Sequence, residues 1–109
     1  MREALGEFEQ LVVLAILQLD GDAYAARIVE EIERRTGRST APAAVYITLR
    51  RLEEKRLVES WMSKPTGEPG GKSRRCVKVT KSGVEALRAA REANDRMWKG
   101  LELLRKSSR

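Results

Sequence analysis

The stretch Ala41–Val58, APAAVYITLRRLEEKRLV, sorts its side chains onto two faces at the period of an α-helix. Val45, Leu49 and Leu52 fall at i, i+4 and i+7 and form an apolar face. The opposite face carries Ala43, Ile47, Arg50, Arg51 and Glu54, with Tyr46 at its edge. A surface meant only for water rarely combines an aliphatic, an aromatic and two adjacent arginines. A DNA major groove suits that combination, because base edges offer acceptors and thymine methyls while phosphates flank them. An ordinary amphipathic helix with a solvated charged face is the other reading. The helix alone does not choose between them.

Charge is distributed to the same place. The 109 residues, enough for one domain with a modest core, carry a net charge of +6. Residues 1–37 hold four basic and eight acidic side chains, residues 38–81 eleven and four, and residues 82–109 seven and four. The excess therefore gathers on the helix and the segment that follows it, as expected of a footprint for a polyanion.

Several classes of chemistry are disfavoured. With no histidine, Ser-His and Cys-His nucleophiles and the usual zinc ligand sets are absent. The acidic pairs Glu30-Glu31 and Glu53-Glu54 are sequence neighbours, which on a helix do not converge on one substrate. No enzyme, metal or cofactor is expected. Cys76 is the single cysteine and is read as a packing residue, in keeping with a reducing compartment. Charges at Arg2, Glu3, Glu7 and Glu9 precede any apolar run, and Leu11–Leu17 is far short of a membrane span. A soluble, cytoplasmic protein is expected.

The other segments read as helices and one hairpin. Leu5–Leu19 is a helix with a stripe of Leu5, Phe8, Val12, Ala15 and Ile16, yet Leu11, Val13, Leu14 and Leu17 make it apolar nearly all round. A domain this small can cover only part of such a helix, and a second protomer is the simplest cover for the rest. Asp20-Gly21-Asp22 is a turn, with Asp22 expected to cap a helix over Ala23–Thr36 that Gly37 ends. In that helix Tyr24, Ile28 and Ile32 face inward, and Glu30–Arg34 and Glu31–Arg35 are expected on a solvated face. Thr40 is expected to cap the 42–55 helix, with Pro42 in its first turn. Leu57–Lys64 and Ser73–Thr80 alternate as strands around a loop, KPTGEPGGK, that contains no nucleotide-binding glycine motif. A helix capped by Thr80 is expected from Ser82 to about Arg105, with Leu87, Met97, Trp98, Leu101 and Leu104 on its apolar stripe.

The run Val45-Tyr46-Ile47-Thr48-Leu49-Arg50-Arg51-Leu52 and the following Glu53 to Val58 resemble the "TLYxxLxRLExxGLV" phrase of PadR family transcriptional regulators. Val79-Thr80-Lys81-Ser82-Gly83 is similar to the family's "LTxxG", and Leu5 to Glu9, Ala23-Tyr24 and Gly37 also fit. The resemblance spans nearly the whole chain. Two departures stand out: Ala41 occupies the place of the family's capping serine, and Cys76-Val77 that of its wing tyrosines.

The fold expected is α+β and mostly helical, a winged helix-turn-helix (α-α-α-β-β) over residues 1–81 with a C-terminal dimerisation helix over 82–109. The resemblance implies a homodimeric repressor that binds operator DNA. Its contacts would be Thr40, Ala43, Tyr46, Ile47, Arg50 and Arg51 on the helix, and Lys72, Arg74 and Arg75 on the wing. Leu11, Leu14, Leu87, Met97, Trp98, Leu101 and Leu104 would form the dimer interface. Trp98 is also where a small aromatic effector would stack, as in some drug-responsive members of the family. A protein-interaction module without DNA affinity, or a regulator of another winged-helix family such as the MarR-like proteins, are the alternatives.

Overall fold

In the computed structural model, residues 4–64 and 73–101 are described. Three helices precede a two-stranded hairpin and a fourth helix: α1 (Glu7–Leu19), α2 (Ala25–Thr36), α3 (Pro42–Glu54), β1 (Val58–Met62), β2 (Arg75–Val79) and α4 (Lys81–Trp98). This is the expected winged helix-turn-helix with an added helix.

The core is aliphatic and is built around α1. Val12, Ala15 and Ile16 pack with Ile28 and Ile32 of α2, Val45 and Leu52 of α3, and Val58 and Val77 of the hairpin. Val13, which lies off the expected stripe, is also fully buried. The reason is that α1 packs against four elements, α2, α3, β2 and α4. Leu14 and Leu17 remain exposed.

Helix starts depart from expectation in three places. α1 begins behind Gly6, whose N–H donates to Glu9 Oε1 at 2.8 Å. α2 begins only at Ala25: Asp22 pairs with Arg27 instead of capping, and the Ala23 carbonyl accepts a 2.9 Å bond from Val77 N–H on β2. That sheet-like pairing holds the chain extended through Tyr24. The cap of α3 is Ala41, with no side-chain bond. Thr40 is turned inward, its N–H given to Glu33 Oε2 at 2.8 Å and its hydroxyl to the Arg38 carbonyl at 3.3 Å. Glu31, expected on a solvated face, is buried beneath Arg34 and Arg35, both of which bond it.

The end of α3 sets the direction of everything after it. Leu57 N–H donates to the Leu52 carbonyl and Arg56 N–H to the Glu53 carbonyl, each at 2.9 Å, with Arg56 left-handed at φ 61°. This is a Schellman closure, completed by burial of Leu52 and Leu57. The position ordinarily suits glycine; here it is arginine. The Arg56 carbonyl then accepts from Thr80 Oγ1 and the Leu57 carbonyl from Thr80 N–H. Thr80 in turn caps α4 by accepting from Gly83 N–H at 3.0 Å. A Cβ at Gly83 would lie 2.2 Å from the Leu57 carbonyl oxygen, so only glycine fits.

β1 and β2 pair antiparallel, Val58 opposite Val79 through Met62 opposite Arg75, and Ser63 and Arg74 extend the pairing with two further bonds. Cys76 is buried on β2. α4 is shorter than expected over the described residues. It ends at Trp98, because Lys99 is extended and Gly100 takes φ 89°. Lys72, Leu104 and residue 105 lie outside the described residues.

Two substitutions test this junction by thermal unfolding. Arg56→Gly should stabilise the protein by up to about 1 kcal/mol, since a side chain in the left-handed region is strained. Gly83→Ala should destabilise it by about 1–3 kcal/mol through overpacking. A loss of stability in Arg56→Gly would assign Arg56 a side-chain role in the fold.

Candidate nucleic-acid interface

Because Val45, Thr48 and Leu52 are buried, α3 has only one orientation available to its remaining side chains. Tyr46 and Ile47 are 63% and 57% exposed, and Ala43, Arg50 and Arg51 are exposed beside them. Holding two large apolar groups in water is unfavourable unless something covers them. Thr40, expected among the same contacts, is buried, and its hydroxyl donates to the Arg38 carbonyl.

The two arginines lie on different shoulders. Arg50 lines an open groove of about 370 Å³ between α3 and the wing, with Tyr46, Leu49, Glu53, Ser60, Arg75 and Val77. Arg51 lies toward α1, where its charge bears on Glu9. Neither makes an ion pair or hydrogen bond among the described residues.

The wing arginines, by contrast, are held. The Arg74 guanidinium lies 4.7 Å from the centroid of the Tyr24 ring, a cation–π contact that leaves its charge intact while fixing its place. Arg75 approaches Glu53 Oε2 at 3.6 Å, and Lys78 approaches Glu59 at 3.6 Å. Tyr24 and Glu53 were not singled out as site residues from the sequence. The contact of Tyr24 with Arg74 spans the fold, and no local pattern announces it.

Glu9 stabilises the far end of α3. It is buried, and its carboxylate accepts from Gly6 N–H and from Lys55 Nζ at 3.0 Å. Burial acts to raise its pKa, but the Gly6 N–H, the Lys55 ammonium and Arg51 outweigh it and hold the group below the usual glutamate value. A carboxylate on α1 is thus tied to the residue that ends α3.

Of the expected interface residues for a second protomer, Leu14 is exposed on α1, and Leu11 and Leu87 are half-buried. Met97 and Trp98 stand out from the end of α4 at 79% and 53% exposure, followed by Leu101. Among the described residues no helix is long and apolar enough to cross a membrane.

Comparison with known proteins adds a lineage to this geometry. The family model "Transcriptional regulator PadR-like family" matches residues 13–89. A PadR family transcription regulator from Clostridium difficile is similar in structure, with 22% identity, TM-score 0.67, and 94% of this chain and 97% of that one covered. One from Eggerthella lenta shares 26% identity at TM-score 0.67, over 90% and 85% of the two chains. PadR of Bacillus subtilis, solved in complex with operator DNA, aligns at 14% identity and TM-score 0.61 over 75% of this chain and 46% of that one. Among curated proteins no sequence matches this chain.

The Glu9 linkage has a defined pH signature. A depressed folded pKa gives stability that is present above the unfolded value and is lost as pH falls through the folded one. Glu9→Gln should therefore cost about 1–3 kcal/mol in urea unfolding at pH 7. The difference should shrink as pH falls below about 4.3. A difference constant across that range would remove ionisation from the account.

Proposed function

This chain belongs to the PadR-like family of transcriptional regulators, and on that premise we propose that it is a homodimeric repressor that binds operator DNA sequence-specifically. The observation that carries the reading is the outward face of α3, where Tyr46 and Ile47 are exposed beside Arg50 and Arg51, which have no ion-pair partner among the described residues. Such a face matches the acceptor-rich edges and thymine methyls of a major groove. Arg50, on the groove side, is assigned to base edges. Arg51, Arg74 and Arg75, together with Lys72, are assigned to phosphates. The uncapped start of α3 offers backbone N–H groups to a phosphate in place of the family's serine. Operator binding by the Bacillus subtilis relative supports the same assignment.

Residues 1–81 are assigned to DNA reading and residues 82–109 to pairing of two protomers. Leu14, Met97, Trp98 and Leu101 are exposed apolar groups on α1 and at the end of α4, and a second copy is the proposed cover. Leu104 would extend that seam. A flat aromatic effector entering between protomers would meet the Trp98 ring. Two linked recognition helices are what a pair of half-sites about one DNA turn apart requires.

A duplex selected by the protein from a random library provides the probe. Arg50→Ala should weaken it by about 1–3 kcal/mol and relax sequence preference at one position. Arg51→Ala should weaken selected and scrambled duplexes alike, reducing the log–log salt slope by about 1. If both variants remain folded and bind with unchanged affinity, α3 is not the reading helix. Truncation after residue 86 should abolish the dimer in sedimentation; a stable monomer with full affinity for the selected duplex would contradict the paired arrangement.

A further inference from the structure

Glu53 is the one acidic side chain lining the groove between α3 and the wing. It sits on α3 yet bonds both wing strands. Its Oε1 accepts the Ser60 hydroxyl from β1, and its Oε2 lies 3.6 Å from Arg75 Nη2 on β2. Ser60 and Arg75 fall on the same face of the hairpin, since Ser60 is opposite Val77 and Met62 opposite Arg75. One carboxylate thus spans the two strands and ties them to the recognition helix. At 36% and 65% side-chain exposure for Glu53 and Arg75, the ion pair adds little to stability. A charge that weakens an otherwise basic groove and contributes little to the fold calls for another role.

We propose that Glu53 is a positioning residue for DNA specificity, which it confers by restraining Arg75. This rests on the DNA-binding reading above. Arg74 is fixed by the face of Tyr24, which leaves its charge whole; Arg75 is fixed by a carboxylate, which offsets it. Held against Glu53, Arg75 reaches a phosphate only where the wing lies in one register along the duplex. Released, its long side chain follows any phosphate within reach, and binding to unrelated sequence strengthens. Glu53 therefore raises the ratio of specific to non-specific affinity rather than affinity itself.

The test compares wild type, Glu53→Gln, Arg75→Gln and the double variant as full chains. Each is titrated against the library-selected duplex and a scrambled duplex over a range of salt. Glutamine keeps an acceptor for Ser60 and removes the charge that holds Arg75. Glu53→Gln should steepen the salt slope on the scrambled duplex by about one unit, equivalent to about a three- to fourfold change between 50 and 200 mM salt. The slope on the selected duplex should stay near that of wild type, so the ratio of the two affinities falls. In the Arg75→Gln background the same change should leave the ratio where it stands. Equal weakening of both duplexes with a lowered thermal midpoint would overturn the proposal and make Glu53 a structural tie. An unchanged ratio in Glu53→Gln, or an equal fall in the Arg75→Gln background, would also overturn it. If wild type selects no duplex, the failure belongs to the DNA-binding reading, whatever the variants do.

Discussion

The carbonyls of Arg56 and Leu57 are the hinge on which this architecture turns. Immediately before them α3 closes on itself, and immediately after them β1 begins. Thr80, arriving from β2, donates to both and then caps α4. Gly83 packs against the Leu57 carbonyl with no room for a side chain. α3, the wing and α4 are therefore referenced to two consecutive peptide groups. The relative placement of the basic elements follows from that junction and not from contacts among the basic residues themselves, which repel one another.

Charge is partitioned accordingly. Away from the groove, several arginines are paired: Arg34 and Arg35 cover Glu31, and Arg38 pairs with Glu7 at 3.0 Å. On the groove Arg50 has no ion-pair partner among the described residues, and the wing arginines are braced by Tyr24 and Glu53. The end of α3 is held by Lys55 on the buried Glu9, and the wing is held by α3, so the surface they form is preformed.

What could be read from the sequence was what depends on period. Val45, Leu49 and Leu52 against Ala43, Ile47 and Arg50 is a local pattern, and the structure divides α3 the same way. The hairpin and the Thr80 cap follow from alternation and a single side chain. What was not legible depends on partners distant in sequence. The late start of α2 comes from a strand more than fifty residues away, seen in the Val77–Ala23 bond. Thr40 looks like a cap until Glu33 claims its N–H. Val13 looks surplus to its stripe until β2 and α4 close over α1. Glu31 is charged and of suitable spacing for a solvent pair, yet its own arginines bury it. The contact of Glu53 with Arg75 joins α3 to β2 and leaves no trace in the pattern of either element.

The central claim is that α3 and the wing together form the surface that meets DNA. Titrating the selected duplex into isotopically labelled protein and following backbone amides addresses it directly. The account predicts perturbation concentrated at the start and outer face of α3, residues 41–51, and along residues 73–79 of the wing. Amides in the second half of α4, residues 91–98, should be nearly unaffected. Perturbation confined to α1 and α4, with α3 and the wing unmoved at saturation, would contradict it.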